Sequence, residues 1–453
     1  MEKIDRRNFI RKTGAAAAAG LVAATGPWVR TGQAAKNTPS DTVNVAVIGI
    51  RSRGTQHAVS FAKVPNTRVV ALCDIDERLF PQSLDELEKA GGGKARTETD
   101  IRRLLEDKSI DAVSIATCNH WHALAAIWAC QAGKDVYVEK PVSHNIWEGR
   151  KIVEAARKYD RIVQVGSQNR SNQTVQQCMD FIHSDKLGDI YMVKCVIFNP
   201  RESFGRGKVA PVPAGVHYDL WVGPAAWQPF NEARFHYNWH WFWNTGGGET
   251  ANNGPHYTDF ARWALQKYEH PKKIQSMGGY YAFDCEQETP NTQMSVMEYA
   301  DGKIVQIEVR GLYTNKEAEE NMGVLFFGTE GWMKLGRGAW STYFGRKDEP
   351  GPTSDNYNEA TSGYKAHDVR AVENSPHFEN FIQAVRSHKR EDLTAEILEG
   401  HLSATMCHLP NIAYRLGRTV EFDSATETFP GDAEAQAMVS REYRFPYVVP
   451  ENV

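Results

Sequence analysis

Short apolar runs alternate with amphipathic stretches over the first third of the chain. "VNVAVIG" begins at Val43, and "TRVVALCD", "IDAVSIAT", "KDVYVEKP" and "RIVQVG" follow it. Between them lie stretches of helical period: "DERLFPQSLDELEKA", "TETDIRRLLED", "WHALAAIWACQAG" and "NIWEGRKIVEAARKY". Continuous apolar strands that alternate with helices predict a parallel sheet covered on both faces. We therefore expect a doubly wound α/β domain over residues 40–167.

The pattern changes at Gln168. After one helical stretch, the runs "IYMVKCVIF", "KKIQSMGGYYAF", "TQMSVMEYA", "KIVQIEVRG", "MGVLFFG" and "GWMKLG" are joined by polar turns. This alternation is typical of antiparallel strands. Two further helical stretches, "SPHFENFIQAVRSH" and "TAEILEGHLSATMCHLPNIAYRLG", follow. We expect an α+β domain over residues 168–430 and an extended C-terminal arm over residues 431–453.

The N-terminal segment has the order of a targeting signal. Arg6 and Arg7 precede a weak apolar run, residues 15–24, and the small residues of "TGQAA". The order is typical of a signal peptide, and the arginine pair resembles a twin-arginine signal. The apolar run is too short to span a bilayer, and no cysteine follows it that a lipid anchor would need. We therefore set residues 1–39 aside as signal and linker, and expect export to the periplasm without a membrane anchor.

Composition narrows the classes of partner. The 453 residues carry 52 Lys and Arg against 56 Asp and Glu, a net charge of −4, so no basic excess favours nucleic acid. The seven cysteines are scattered and include no CxxC pair. A disulfide framework or a zinc knuckle is therefore not expected.

The first strand leads into a glycine turn. In the dinucleotide fingerprint G-x-G-x-x-G, Gly49 and Gly54 take the first and third places, while Arg51 stands in the second. Without the middle glycine the backbone cannot approach the pyrophosphate closely, but Arg51 or Arg53 offers a charged donor to the phosphate instead. The N-terminus of the following helix attracts the same phosphate group. Asp74, at the end of the second strand, suits ribose hydroxyls and repels a 2′-phosphate. The turn predicts NAD as the cofactor in preference to NADP.

Two later stretches carry chemistry. "ATCNHWHALAAIWACQAGKDVYVEKP" follows a strand end, where ligands of open α/β sheets bind, and ends in an Glu-Lys-Pro motif. "NTGGGETANNGPHYTDFARWAL" sets three glycines before a helix that bears His256 and Asp259. From Val43 to about Phe422 this combination resembles the Gfo/Idh/MocA oxidoreductases.

The resemblance implies a Rossmann domain followed by an open antiparallel sheet, and a homo-oligomer. It places Lys140 near the nicotinamide and gives His256 an acid/base or orienting role. Many members carry Asp four residues before this histidine, whereas this chain has Asn252, which cannot accept a proton. The base role therefore falls on His256, Lys140, His120 or His122. The predicted cofactor-binding residues are Gly49, Arg51, Ser52, Arg53, Gly54, Asp74, Thr117, Asn119, His120, His122, Glu139 and Lys140.

Residues 215–248 form a long segment rich in Trp and Pro with little periodicity, and such loops are usually functional. Its aromatic side chains suit the wall of a carbohydrate site. His236 and His240 have i, i+4 spacing, but no HExxH is present, and we predict no metal site. The predicted substrate-binding residues are Asn252, Asp259, His240, Trp241, Tyr237, Gln168 and Arg170.

Oxidation of a secondary alcohol needs a base for the hydroxyl proton and a hydride acceptor, and His or a Lys of lowered pKa suits the base role. We expect an NAD-dependent oxidoreductase that converts a ring hydroxyl of a carbohydrate or glycoside, at C3, to a ketone. Export implies a cofactor that stays bound and is recycled in place. One alternative is an NAD-dependent glycoside hydrolase that uses transient C3 oxidation. A second is a sugar-binding protein without catalytic activity.

Overall fold

The computed structural model describes residues 42–313, 316–336, 338–356 and 375–453, and the predicted signal and linker lie outside these ranges. The first sheet has six parallel strands in the order β3-β2-β1-β4-β5-β6. Its strands are β1 Val43–Ile48, β2 Thr67–Cys73, β3 Arg96–Glu98, β4 Ala112–Ile115, β5 Asp135–Val138 and β6 Val163–Val165. Its helices are α1 Arg53–Lys63, α2 Phe80–Lys89, α3 Ile101–Leu105, α4 Asn119–Gln131 and α5 Ile146–Lys158.

This order confirms the predicted doubly wound domain. The strand order reverses between β1 and β4. The carboxyl ends of these two strands therefore flank the crevice in which such sheets bind ligands. One element differs from the prediction. "TETDIRRLLED", predicted as one helix, begins with the edge strand β3, and Asp100 then caps a short α3 by accepting a bond from the backbone N–H of Arg102 at 2.9 Å. The capping aspartate starts the helix there because its carboxylate satisfies a free N–H group.

The second sheet has nine strands in the order β14-β13-β12-β11-β7-β10-β9-β8-β15. It is antiparallel except for the parallel pair β7 and β10, which confirms the mainly antiparallel class. Strands β13, β14 and β15 were not predicted from the sequence pattern, because each is at most five residues long. The strands are β7 Ile190–Ile197, β8 Lys273–Gly279, β9 Thr292–Glu298, β10 Ile304–Arg310, β11 Met322–Gly328, β12 Gly331–Leu335, β13 Trp340–Phe344, β14 Glu349–Thr353 and β15 Val420–Glu421.

The later helices are α6 Gln173–Ile182, α7 Tyr218–Val222, α8 Gly248–Asn252, α9 Gly254–Leu265, α10 Ser375–Ser387, α11 Ile397–Leu416 and α12 Ala433–Gln436. Of these, α8, α9 and α11 contact strands of the second sheet. Helices α9 and α11 pack on the buried side of β8 and β7. The other side of β8 and β9 exposes Met277, Met294 and Val296, so the sheet is open there. Among the described residues, no helix has the length and hydropathy needed to cross a membrane.

Late parts of the chain return to the first domain. Phe378 and Phe381 of α10 are fully buried in its core, where Phe378 stacks on Tyr137 at 4.8 Å. Tyr447 of the C-terminal arm packs against Trp121. The described residues belong to one compact unit. The predicted boundary after residue 167 therefore separates the two sheets in sequence, but the later residues complete the core of the first.

A buried polar cluster ties α5 and α11 to the loop that follows β15. The Nε2 atoms of His270 and His401 lie 2.8 and 2.7 Å from Oε1 of Glu427, and Arg150 binds both carboxylate oxygens. These two histidines and Glu427 are the one converging group of metal-ligand type within the described ranges. Arg150 supplies a countercharge to the Glu427 carboxylate in this cluster. Burial lowers the pKa of His401 to about 4, although the bond to Glu427 opposes this shift.

We expect Glu427→Gln to lower the free energy of unfolding by about 2–4 kcal/mol, because it leaves Arg150 and two imidazoles without their charged acceptor.

We also expect the native protein to lose stability as the pH falls from about 6.5 to about 4. Across this range the unfolded chain binds a proton on His401 that the folded chain, with its lowered pKa, does not. Urea unfolding at neutral and at mildly acidic pH measures both effects. The exposed control Glu451→Gln should leave the free energy unchanged, and an equal loss in both variants would contradict the assignment.

Candidate active site

A cleft of about 810 Å³ opens at the carboxyl ends of β1, β2, β4 and β5. One side belongs to the first domain. The opposite side, which we call the substrate half, is lined by Gln168, Asn169, Asn199, Asn252, Asn253 and His256, with Lys140 between the two. The cleft brings together fifteen of the predicted site residues: Gly49, Arg51, Ser52, Arg53, Asp74, Thr117, Asn119, His122, Glu139, Lys140, Gln168, Tyr237, His240, Asn252 and His256.

The turn after β1 keeps its shape without the middle glycine. Gly49 has φ +79°, and a Cβ there would lie 2.8 Å from the backbone of Ala116. A Cβ on Gly54 would collide with the carbonyl oxygen of Gly49. Arg51 is not among the residues with positive φ, whereas Ser52 is, at +50°. The first and third glycines are therefore required by packing, and the second position accepts a side chain.

The start of α1 offers free donors to an anion. No side chain caps this helix, and its first residues line the cleft. Arg51 is exposed beside it and makes no ion pair among the residues that the structure describes, whereas Nε of Arg53 lies 2.8 Å from Oε1 of Glu139. A helix N-terminus with an unpaired guanidinium suits a pyrophosphate. The residues present therefore fit a dinucleotide, with Arg51 as its cation.

Asp74 lines the cleft directly after β2, the position from which an acid in this fold would bind the ribose hydroxyls of a dinucleotide. Its carboxylate accepts bonds from the backbone N–H groups of Ile50 at 2.7 Å and Asp76 at 3.0 Å, which fix its orientation in the cleft. Burial raises the pKa of Asp74 to about 6, against these two bonds. The carboxylate is still ionised at neutral pH and keeps lone pairs for hydroxyl groups.

Glu139 joins the parts of the cleft. Its carboxylate accepts bonds from Arg53, from Nε2 of His57 at 3.1 Å and from Nε2 of Gln168 at 2.9 Å, and its Oε2 accepts the backbone N–H of Lys140 at 3.1 Å. Burial alone would raise the pKa of Glu139, but the Arg53 charge and the His57 bond outweigh it and hold the pKa well below its ordinary value. Glu139 therefore supports the cleft from beneath, and its oxygens are already engaged by protein donors.

Lys140 is held by an amide residue. Its Nζ donates to the backbone oxygen of Asn252 at 2.7 Å and lies 3.5 Å from Oδ1 of the same residue. Burial lowers the pKa of Lys140, against the charge of Glu139. Because Asn252 carries no charge, it fixes the amine without stabilising the ammonium form as an aspartate would.

His256 places an unsatisfied atom in the cleft wall. Its Nδ1 is buried and has no hydrogen-bond partner. Burial and the Lys140 charge lower the pKa of His256 to about 3, so the imidazole is neutral at physiological pH. An unpaired buried ring nitrogen is unfavourable unless a ligand completes it.

Residues 215–247, which we call the insert, form the aromatic wall. Tyr237, Trp239 and His240 line the cleft, and the Trp239 and His240 rings stack at 3.6 Å. The insert is tied to the loop after β2, where Nε2 of His236 lies 2.9 Å from Oδ2 of Asp76. His240 has a different partner, since its Nδ1 lies 2.5 Å from the Tyr237 carbonyl oxygen.

Five predicted residues lie outside the cleft lining. Arg170 and Asp259 form an ion pair at 2.8 Å, which Arg170 shares with Glu399, so their charged groups are engaged by each other outside the cleft lining. Nε2 of His120 lies 2.9 Å from the Trp221 carbonyl oxygen and fixes the insert. Trp241 is buried beneath Tyr237, and Gly54 packs against Gly49 as described above.

Four residues in or directly behind the cleft wall were not predicted from the sequence: Asn199, Asn253, Glu249 and Arg201. Asn199 follows β7 and Asn253 begins the His256 helix, and both line the cleft. Glu249 lies within the glycine-rich stretch already singled out, where an acid beside three glycines was an available signal. Arg201 lies 48 residues earlier, and only the fold brings it to Glu249.

The fold and the site define a class: two-domain oxidoreductases that bind a dinucleotide at a parallel sheet and close the cleft with an antiparallel one. Residues 43–167 match the Gfo/Idh/MocA oxidoreductase family over its NAD-binding Rossmann fold. Residues 201–324 and 355–449 match the C-terminal alpha/beta domain of the same family. The chain belongs to the Gfo/Idh/MocA oxidoreductase family.

Two relatives are similar over part of the chain. A glycosyl hydrolase family 109 protein of Shewanella baltica is 30% identical over 175 residues, which are 35% of this chain and 38% of the relative. An inositol 2-dehydrogenase of Salmonella typhimurium is 30% identical over 154 residues, 34% of this chain and 45% of the relative. The chain thus aligns with less than half the length of these relatives.

Solved structures share the fold over most of the chain. Levoglucosan dehydrogenase in complex with NADH and levoglucosan has a TM-score of 0.61 at 17% identity and covers 84% of this chain and 99% of its own. The WlbA dehydrogenase from Bordetella pertussis, with NADH and UDP-GlcNAcA, has a TM-score of 0.60 at 19% identity, with the same two coverages.

We expect Asp259→Asn to lower the free energy of unfolding by about 3 kcal/mol, because it removes one of the two carboxylates that pair with Arg170 in the protein interior. NADH binding to the folded protein should stay unchanged, because neither residue lines the cleft. Urea unfolding and NADH fluorescence titration separate the two effects. The exposed control Asp180→Asn should change neither quantity. Weakened substrate or cofactor binding at unchanged stability would return Asp259 to the site.

Proposed function

We propose that this protein is an NAD-dependent oxidoreductase that converts a ring secondary hydroxyl of a carbohydrate or glycoside, at C3, to a ketone. The observation that carries the proposal is the pairing of Lys140 with an uncharged partner, Asn252, beside the unsatisfied imidazole of His256. The similarity to sugar and inositol dehydrogenases supports the substrate class.

Lys140 is suited to remove the hydroxyl proton. Its neutral amine has two N–H groups, and the two oxygens of Asn252 are positioned to accept them, at 2.7 and 3.5 Å. The amine lone pair then remains for the substrate hydroxyl. His256 is neutral and holds the substrate oxygen through a ring nitrogen. When bound, NAD supplies the hydride acceptor.

The insert favours a cofactor that stays bound. Nε2 of His217 lies 2.7 Å from Oε1 of Glu77, and the backbone N–H of His217 donates to the Ile75 carbonyl oxygen at 2.8 Å. Arg444 of the C-terminal arm binds Asp219 on the outside of the insert. A wall attached at several points near Asp74, the residue assigned to the ribose, retards cofactor release. Slow release fits a cofactor that is recycled in place. Asp74 favours NAD over NADP because its carboxylate repels a 2′-phosphate.

A second candidate, glycoside hydrolysis through transient oxidation at C3, is favoured by the similarity to glycosyl hydrolase family 109 proteins. It requires an additional base for the C2 proton. The two activities differ in their products. Screening glycosides for ketone formation and for released aglycone decides between them, since hydrolysis gives cleavage without net oxidation.

We also propose that the protein acts in the periplasm, because residues 1–39 carry the arginine pair and the basic–apolar–small order of an exported precursor. Export of a folded protein delivers its bound cofactor with it. Cell fractionation tests this location, and a protein found wholly in the cytoplasm would overturn it.

We expect the purified protein, once denatured, to release about one NAD(H) per chain, as one dinucleotide cleft predicts. Mass spectrometry identifies the nucleotide. Recovery of NADP(H) would contradict the role of Asp74 and make Arg51 the 2′-phosphate partner. If no nucleotide is recovered and added NAD does not bind at millimolar concentration, the oxidoreductase proposal fails and a non-catalytic sugar-binding protein takes its place.

We expect Lys140→Met to lower turnover by about 10²–10⁴-fold while the bound NAD is retained, because the side chain keeps its length and loses its base. A base acts when deprotonated, so wild-type activity should rise with pH through the pKa of Lys140, which burial lowers below 10.5. The matched variant His256→Asn should reduce activity without moving this rise, since His256 is already neutral. A pH–rate profile measures both, and persistence of the rise in Lys140→Met would contradict the assignment.

A further inference from the structure

Glu249 is a buried carboxylate behind the substrate half of the cleft. Arg201 binds it through two nitrogens: Nε lies 3.1 Å from Oε2, and Nη2 lies 3.0 Å from the same oxygen. The Asn253 amide nitrogen donates to Oε1, that of Asn199 lies 3.4 Å from Oε1, and that of Asn252 lies 3.5 Å from Oε2. One acid therefore holds a guanidinium and three amides, and the three amides line the cleft.

The remaining donors of Arg201 are directed at the aromatic wall. Its Nη1 donates to the Tyr237 hydroxyl at 2.8 Å, and its Cζ lies 5.2 Å from the centre of the Trp241 ring. The guanidinium thus lies close to the cleft, with its charge cancelled by Glu249. Without that carboxylate it would be an anion site at the edge of the substrate half.

The other arginines near the substrate half are also paired. Arg53 binds Glu139, and Arg170 binds Asp259 and Glu399. The groups left to face a ligand are mostly amides. An amide donates and accepts hydrogen bonds and so matches hydroxyl groups, whereas a carboxylate ligand held away from Lys140 would lose its water shell without gaining a cation.

We propose that Glu249 sets the substrate specificity of this site. By neutralising Arg201 and orienting Asn199 and Asn253, it selects uncharged polyhydroxyl sugars and excludes uronic acids and nucleoside-diphosphate sugars. The proposal rests on the proposed function for the presence of a sugar in this half of the cleft. It makes Glu249 a positioning residue, because it acts through the groups that it holds.

The test uses the NAD-loaded protein and matched pairs of ligands. Methyl glucoside and methyl galactoside are compared with the corresponding methyl glucuronide and methyl galacturonide, which differ only in the C6 carboxylate, by calorimetric binding. We expect the wild-type protein to bind the neutral member of a pair at least tenfold more tightly. Glu249→Gln, which keeps the side-chain volume, should raise uronide affinity and reduce this ratio by tenfold or more.

Two further variants separate specificity from folding. The double variant Glu249→Gln/Arg201→Met should lose the gained uronide affinity, because the exposed cation is gone. Glu232→Gln removes one negative charge from an exposed position of the insert and should leave the ratio at its wild-type value.

The outcomes are distinguishable. Equal binding of both members by the wild-type protein, or an equal loss of both in Glu249→Gln, overturns the role of Glu249 and leaves the proposed oxidoreductase intact. Failure of all four ligands to bind a protein that does hold NAD overturns the sugar substrate itself. A wild-type protein that neither retains NAD nor binds it when it is added overturns the proposed function before any sugar is tested.

Discussion

The buried carboxylate of Glu139 is the constraint on which the cleft depends. A charge that is removed from water must be paired and fully hydrogen-bonded, and here its partners come from the glycine turn, from α1 and from the start of the second domain. Gly166 lies so close that a Cβ would be 2.7 Å from the carboxylate carbon. One side chain thereby fixes the pyrophosphate turn, the backbone of Lys140 and the junction between the domains.

The substrate half follows the same rule with a second acid. Glu249 is buried as Glu139 is, and it too is surrounded by donors from distant parts of the chain. Between the two acids lies Lys140, whose own contacts are with uncharged oxygens. The substrate half therefore confines its fixed charges to the layer behind the cleft wall. It leaves a titratable amine, an imidazole and amides to face the cleft. Such an arrangement suits the transfer of a proton from a neutral substrate.

The sequence predicted those parts of the fold and site that depend on local pattern. The strand–turn–helix of Gly49, the acid Asp74 at a strand end, and the motifs around Lys140 and His256 were all visible because each is a short run with its own period or spacing. Pairings between distant residues were not. Arg170 and Asp259 look like ligands of a hydroxyl until the fold places them against each other, 89 residues apart. Glu249 has no visible role until β7 brings Arg201 to it.

The return of α10 and the C-terminal arm to the first domain bears on how the protein is made. Phe378 and Phe381 fill the core around Phe61 and Tyr137, more than 200 residues earlier in the chain. The dinucleotide-binding half therefore cannot complete its hydrophobic core until the residues of α10 have been synthesised. We expect a chain truncated before α10 to lose the packing beneath its cofactor site even though it contains every residue of the glycine turn.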